Sequence, residues 1–143
     1  MKPTRPTQAI TAKAAHAGVL AAVEKAEALG VAVNVCIVDA GGHRIAFLRG
    51  DGAFLQSGKI ARDKAATAAG FGAPTGALYE ALSGEPAVLN GIAGQPGVAL
   101  FRGGLPIAVG GEVIGGIGVS GASAEQDEIC ARARLAAMGF AKD

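Results

Sequence analysis

The stretch Glu112-Val-Ile-Gly-Gly-Ile-Gly-Val-Ser-Gly121 is the most informative part of this chain. Its apolar and β-branched residues predict a strand over Glu112–Val119. The pair Gly110-Gly111 comes directly before it, at the spacing of a two-residue β-hairpin. The preceding segment Leu105–Val109 is therefore predicted to be a second strand that pairs antiparallel with the first.

Two successive glycines, Gly116 and Gly118, share one face of the predicted strand with Ser120. Same-face glycines leave bare backbone, which weakens a strand and indicates that something approaches it closely. One interpretation is a helix packed tightly on the sheet. The other is a flat ligand on the strand, with Ser120 at its edge. The glycines also match the pattern GxGxxG, but no βαβ unit follows them, so we exclude a dinucleotide site.

Outward from this strand, apolar spacing and the positions of glycine and proline predict the other elements. The first are a helix over Thr7–Leu29 and a strand over Val31–Asp39 that is covered on both faces. The remaining segments are a strand His43–Arg49, a helix Ala53–Gly70, a short helix from Pro74 to Gly84, a loop Glu85–Pro96, a strand Val98–Phe101 and a helix Asp127–Met138 after a capping box at Ser123–Gln126. The order αββααβββα with short hairpin links predicts one α+β domain over residues 1–143, with a five-stranded, mostly antiparallel sheet flanked by helices.

Composition excludes several classes of function. The 13 basic and 12 acidic residues give a net charge of +1, and with six aromatic residues the chain has no signature of nucleic-acid binding. Cys36 and Cys130 lie far apart without metal-type spacing, which predicts free thiols in a reducing compartment. No segment has the length and apolarity of a membrane span, so we predict a cytoplasmic protein without a membrane partner.

Lys64 is a candidate ligand-binding residue on the predicted helix Ala53–Gly70. It falls on the same helical stripe as Ile60, Thr67 and Phe71, which places a cation between core-type residues. One interpretation is that its ammonium group reaches solvent past the apolar surface, or pairs with Asp63 or with a carboxylate across the sheet. The other is that it meets an anionic ligand in a pocket.

A second group of polar residues lies in the first predicted hairpin. Asp39 and His43 flank the turn Gly41-Gly42, and Arg49 ends the second strand. Asp39 and His43 are candidates for an acid/base pair. The alternative, which we favour for Asp39, is that its carboxylate binds its own turn backbone.

Three segments together resemble one protein family: Val35–Gly42, Ala46–Ala53 and Gly110–Gly121. The chain is similar in these segments to the GlcG/HbpS family, and the similarity continues in order from about Ala9 to Phe140. That family is related to the C-terminal domain of PduO-type corrinoid adenosyltransferases. The resemblance implies a profilin-like fold, assembly into symmetric homo-oligomers and, as in some relatives, haem as a ligand.

The resemblance also implies that an imidazole on the first helix is a candidate axial ligand of haem iron, and here that residue is His16. Our leading hypothesis is an oligomeric protein that binds haem or a related tetrapyrrole. In it, Arg49 and Lys64 pair with the anionic groups of the ligand. Gly116, Gly118 and Ser120 form a backbone platform for it.

The alternative hypothesis is a cofactor-independent enzyme that acts on a small carboxylate in a catabolic pathway. Asp39 or His43 then moves protons, while Arg49 and Lys64 hold the carboxylate. A third hypothesis is an assembly partner that has no small-molecule ligand.

Overall fold

Four antiparallel strands form the sheet in a computed structural model that describes residues 1–140. The strands, in chain order, are β1 (Asn34–Asp39), β2 (Arg44–Arg49), β3 (Gly104–Val109) and β4 (Glu112–Ser120). Their order across the sheet is β2, β1, β4, β3, so β1 lies inside the sheet and pairs with both β2 and β4. The predicted α+β class and the antiparallel pairing are confirmed.

Residues 1–140 also contain six helices. They are α1 (Ala12–Ala28), α2 (Gln56–Phe71), α3 (Thr75–Leu82), α4 (Pro86–Ala93), α5 (Ala124–Arg132) and α6 (Arg134–Met138). Helices α1, α5 and α6 pack on one face, where Val35 and Ile37 of β1 join the larger core. Helix α2 packs on the other face, against Cys36 and Val38 of the same strand. Successive side chains of β1 therefore point alternately into the core under α1 and into the core under α2.

The glycine pair between β3 and β4 forms the predicted hairpin. Gly110 and Gly111 have φ angles of 57° and 81°, the left-handed conformation that two-residue turns of this kind require. At the start of α5 the predicted capping box is also confirmed, with the Ser123 side chain accepting a hydrogen bond from the Gln126 amide. The final predicted helix is divided at Ala133 into α5 and α6.

The predicted strand Val98–Phe101 is wrong, and the described sheet accordingly has four strands rather than five. Helix side chains bind the backbone of this segment. The amide of Ala99 donates to Oγ1 of Thr67 at 3.0 Å, and the carbonyl of Phe101 accepts from Oγ1 of Thr75 at 2.5 Å. These contacts use backbone groups that a fifth strand would need for pairing.

The predicted loop Glu85–Pro96 is also wrong, because it contains α4. Pro86 occupies the first turn of the helix, where its missing N–H costs nothing. None of the residues of α4 is buried, and its Val88 side chain is 40% exposed. Helix α4 is therefore rich in apolar residues but lies on the surface of the chain.

Strand β3 forms one edge of the sheet, and Pro106 lies within it. Proline has no backbone N–H to donate. The carbonyl of Pro106 accepts a hydrogen bond of 2.8 Å from Nη2 of Arg134, a buried side chain on α6.

Candidate functional site

Helix α2 covers the glycine face of β4. A Cβ atom added to Gly116 would lie 3.0 Å from the amide nitrogen of Ala69, and one on Gly118 would lie 2.5 Å from that of Ala65. The glycines thus allow helix backbone to approach strand backbone directly. Of the two interpretations of this strand, the structure shows helix packing. Ser120 is buried at the end of the same strand, paired with Asn34 of β1.

Lys64 is fully buried between α2 and the sheet, in an ion pair within the chain. Its Nζ donates to Oδ2 of Asp127 at 3.0 Å and to the carbonyl of Val119 at 2.9 Å, and lies 4.6 Å from the centre of the Phe101 ring. Burial lowers the pKa of Lys64 and raises the pKa of Asp127, against the mutual attraction of the two groups. The ammonium group is therefore occupied by a carboxylate 63 residues away in the chain, which leaves no room for a ligand anion.

In the first hairpin, Asp39 binds backbone rather than an imidazole. Its Oδ1 accepts hydrogen bonds from the amides of Gly41 and His43, each at 2.9 Å. This is the turn interaction expected of an Asp at such a position. His43 is exposed, and the structure gives the two side chains no hydrogen bond to each other within residues 1–140.

His16 is exposed on α1, with Lys13 one turn before it and Leu20 one turn after it on the same side of the helix. The Leu20 side chain is 39% exposed. Because α1 and α2 lie on opposite faces of the sheet, His16 and Lys64 lie on opposite sides of it. The predicted set of ligand-binding residues is thus not brought together in one chain.

Arg49 lies at the end of the edge strand β2, beside the first turns of α2. It lines a groove with Phe47 and Arg44, whose guanidinium carbon is 6.0 Å from the Phe47 ring centre. The groove has a volume of about 700 Å³. Arg49 was identified as a candidate from the sequence and Arg44 was not, although they are the first and last residues of the same six-residue strand.

A second cavity of about 500 Å³ lies between α3, α5 and the segment before β3. It is lined by Tyr79, Phe101 and Arg102, and the guanidinium of Arg102 donates to the carboxylate of Glu128. This cavity was not predictable from the sequence, because its walls come from three distant segments of the chain.

Residues 1–140 contain no group of three His, Cys, Asp or Glu side chains that could hold a metal ion. Over the same residues, every helix is too short or too polar to cross a bilayer.

Sequence and structure comparisons with known proteins all identify the same family. A family model described as "Haem degrading protein HbpS-like" matches residues 10–136. Protein GlcG of Escherichia coli is 32% identical over 108 residues, which are 74% of this chain and 77% of GlcG. The corrinoid adenosyltransferase PduO of Salmonella typhimurium is 39% identical over 120 residues; these are 82% of this chain but only 35% of PduO, so the chain corresponds to about a third of that enzyme.

Two solved structures share the fold over nearly the whole chain. The crystal structure of HbpS has a TM-score of 0.86 and 38% sequence identity, covering 94% of this chain and 93% of HbpS. A PduOC:heme complex has a TM-score of 0.83 and 37% identity, covering 91% of this chain and 95% of the other. These matches confirm the resemblance found in the sequence. The chain therefore belongs to the HbpS-like family.

Proposed function

We propose that this protein binds haem, or a closely related tetrapyrrole, as a homo-oligomer. The observation that carries the proposal is the PduOC:heme complex, a relative of 37% identity that matches 91% of this chain. The description of the family as haem-degrading supports the same ligand. A profilin-like classification, a single functional domain over residues 1–143 and a cytoplasmic location stay predictions.

His16 is the proposed axial ligand of the haem iron. Within residues 1–140 its imidazole forms no hydrogen bond, and it is exposed, so a ring nitrogen is accessible to iron. Leu20 offers apolar surface to the porphyrin ring one turn away, and Lys13 offers a cation to a propionate. When bound, haem would supply the redox and oxygen chemistry, and this chain would hold it in place.

The proposed site differs from the predicted one in its anion partners. Lys64 is committed to Asp127, and the face of Gly116 and Gly118 is filled by α2. Arg49 lies in a groove beside α2, on the opposite side of the sheet from α1. None of these residues enters the proposed haem site, which is centred on α1.

The position of His16 connects haem binding with oligomerisation. An exposed helix surface contacts only one side of a flat macrocycle, whereas ligand sites bury most of the ligand. A second subunit would cover the other side. Exposed apolar residues such as Val88 on α4 and Leu20 on α1 support association of subunits.

The enzyme hypothesis gains less support from the geometry. Two of the side chains that it needs, Asp39 and Lys64, are held by contacts within the chain. His43 and Arg49 stay accessible, but His43 is not among the residues that line the groove beside Arg49.

Titration of the purified protein with haemin tests the proposal. We expect a shift of the Soret band that saturates with added haemin and disappears in His16→Ala. His43→Ala is the matched control, since it removes the second exposed imidazole and should leave the shift unchanged. A Soret shift that survives His16→Ala, or no shift in the unmodified protein, would overturn the assignment. Light scattering with and without haemin measures the accompanying change in subunit number.

A further inference from the structure

The groove between β2 and α2 has the features of a second binding site. Its β2 side carries Arg44, Phe47 and Arg49, and its α2 side carries Lys59 and Arg62. We call it the β2–α2 groove. At about 700 Å³ it is in the size range of small-molecule sites. It lies on the opposite side of the sheet from α1 and is therefore independent of the proposed haem site.

Positive charge is concentrated around this groove. Lys59 and Arg62 share the carboxylate of Asp63: Nζ of Lys59 lies 2.5 Å from its Oδ2, and Nη1 of Arg62 lies 3.6 Å from its Oδ1. Arg44 and Arg49 form no ion pair within residues 1–140. Four cations against one carboxylate leave an excess of positive charge. Guanidinium groups are well suited to binding the two oxygens of a carboxylate or phosphate.

The centre of the groove is apolar and flat. Phe47 is 39% exposed, and the guanidinium carbon of Arg44 lies 6.0 Å from the centre of its ring. A Cβ on Gly58 would lie 3.3 Å from Cζ of that ring, so the glycine allows the ring to lie close to α2 without a side chain between them. Leu55, which is 75% exposed, adds apolar surface at the start of the helix. An aromatic ring of a ligand would stack in such a site.

The start of α2 adds to the positive potential at the groove. The helix begins at Gln56 without a side-chain cap, and Leu55 and Gln56 line the groove, so the positive end of the helix dipole lies beside it. Asn34 also lines the groove, but its Nδ2 donates to the carbonyl of Phe54 and its Oδ1 is a buried acceptor, so this side chain does not contribute to anion binding.

We propose that the β2–α2 groove binds a small organic anion with an aromatic body and a carboxylate or phosphate group. Arg49 and Arg44 pair with the anionic group, and Phe47 stacks with the ring. The positive charge around the groove accounts for the anionic group of this ligand, and the apolar centre accounts for its aromatic body.

Calorimetric titration with three probes tests this site. The probes are 3-phenylpropanoate, phenyl phosphate and the uncharged 3-phenylpropanamide. We expect at least one of the two anions to bind with a Kd of about 1 mM or lower, and the better anion identifies the anionic group. The amide should bind at least about tenfold more weakly. Equal binding of the amide, or no binding of either anion, would overturn the proposal.

Variants locate the binding. Arg49→Gln should weaken the better anion at least about tenfold, as should Arg44→Gln. Lys25→Gln, which removes an exposed cation from the far end of α1, is the control and should have no effect. His16→Ala should also leave anion binding unchanged, so failure of this proposal and failure of the haem proposal are separable. Anion binding that survives both arginine substitutions would place the site elsewhere and refute our assignment.

Discussion

Replacing Gly118 with alanine should destabilise the fold strongly. The added Cβ would collide with the carbonyl oxygen of Ala61 and lie 2.5 Å from the amide nitrogen of Ala65. Both neighbours are helix backbone, so no side-chain rotation relieves the overlap, and α2 has to move away from β4. Overpacking of this kind costs about 1–3 kcal/mol, and we expect the upper end, about 3 kcal/mol.

Thermal unfolding followed by circular dichroism at one fixed protein concentration measures this effect. For a chain of this size, about 3 kcal/mol corresponds to a fall in Tm of roughly 6–12 °C. Fixed concentration matters because subunit association would itself raise the Tm.

Gly70→Ala is the matched control in the same helix. No atom lies within 4 Å of its added Cβ, and its φ angle is not positive. Alanine is the better helix former, so this variant should be up to about 1 kcal/mol more stable than the unmodified protein. If Gly118→Ala kept the Tm and instead lost haemin binding, the strand would be a ligand platform and our account of the glycines would be refuted.

Two further predictions concern buried titratable groups. Lys64→Met should lower the free energy of unfolding by about 3–5 kcal/mol, because it leaves the buried carboxylate of Asp127 without its cation. Adding Asp127→Asn should restore part of the loss, because the amide oxygen still accepts the hydrogen bond from Ala122. Urea unfolding measures the stability of the single and the double variant. A double variant no more stable than Lys64→Met would contradict the ion-pair explanation. Burial raises the pKa of the Cys36 and Cys130 thiols from 9.0 to about 11, so the native state keeps protons that the unfolded chain releases. The free energy of unfolding should therefore fall as the pH rises from about 9 to about 11, by up to about 1.4 kcal/mol per pH unit for each thiol. The variant Cys36→Ala, Cys130→Ala should lose this part of the slope in urea unfolding at each pH, and an unchanged slope would argue against buried thiols as its source.

Elements with strong local signals were predictable from the sequence. The hairpin at Gly110-Gly111 and the capping box at Ser123 depend on residues within a few positions of one another. The segment Val98–Phe101 has the composition of a strand, but contacts with Thr67 and Thr75 override that preference. Helix α4 was missed because the prolines and glycines of the segment Glu85–Pro96 suggested a loop, although Pro86 in a first turn was a usable signal.

The candidate sites were less predictable, because their partners are distant in the chain. Nothing near Lys64 in sequence identifies Asp127 as its carboxylate, and only the packing of α2 on β4 brings the two together. Likewise, the positions of His16 and Arg49 on opposite sides of the sheet follow from which face each helix covers. Spacing along one segment predicts a face of that segment, but not what covers it.

The interaction of Pro106 with Arg134 has a consequence for protein solubility. An exposed sheet edge is a template on which the strand of another molecule can add, and uncontrolled addition leads to aggregation. At the middle of β3 neither backbone group is available for this, since Pro106 has no N–H and its carbonyl is bound by Arg134. The middle of β3 is therefore protected against the addition of a strand from another molecule.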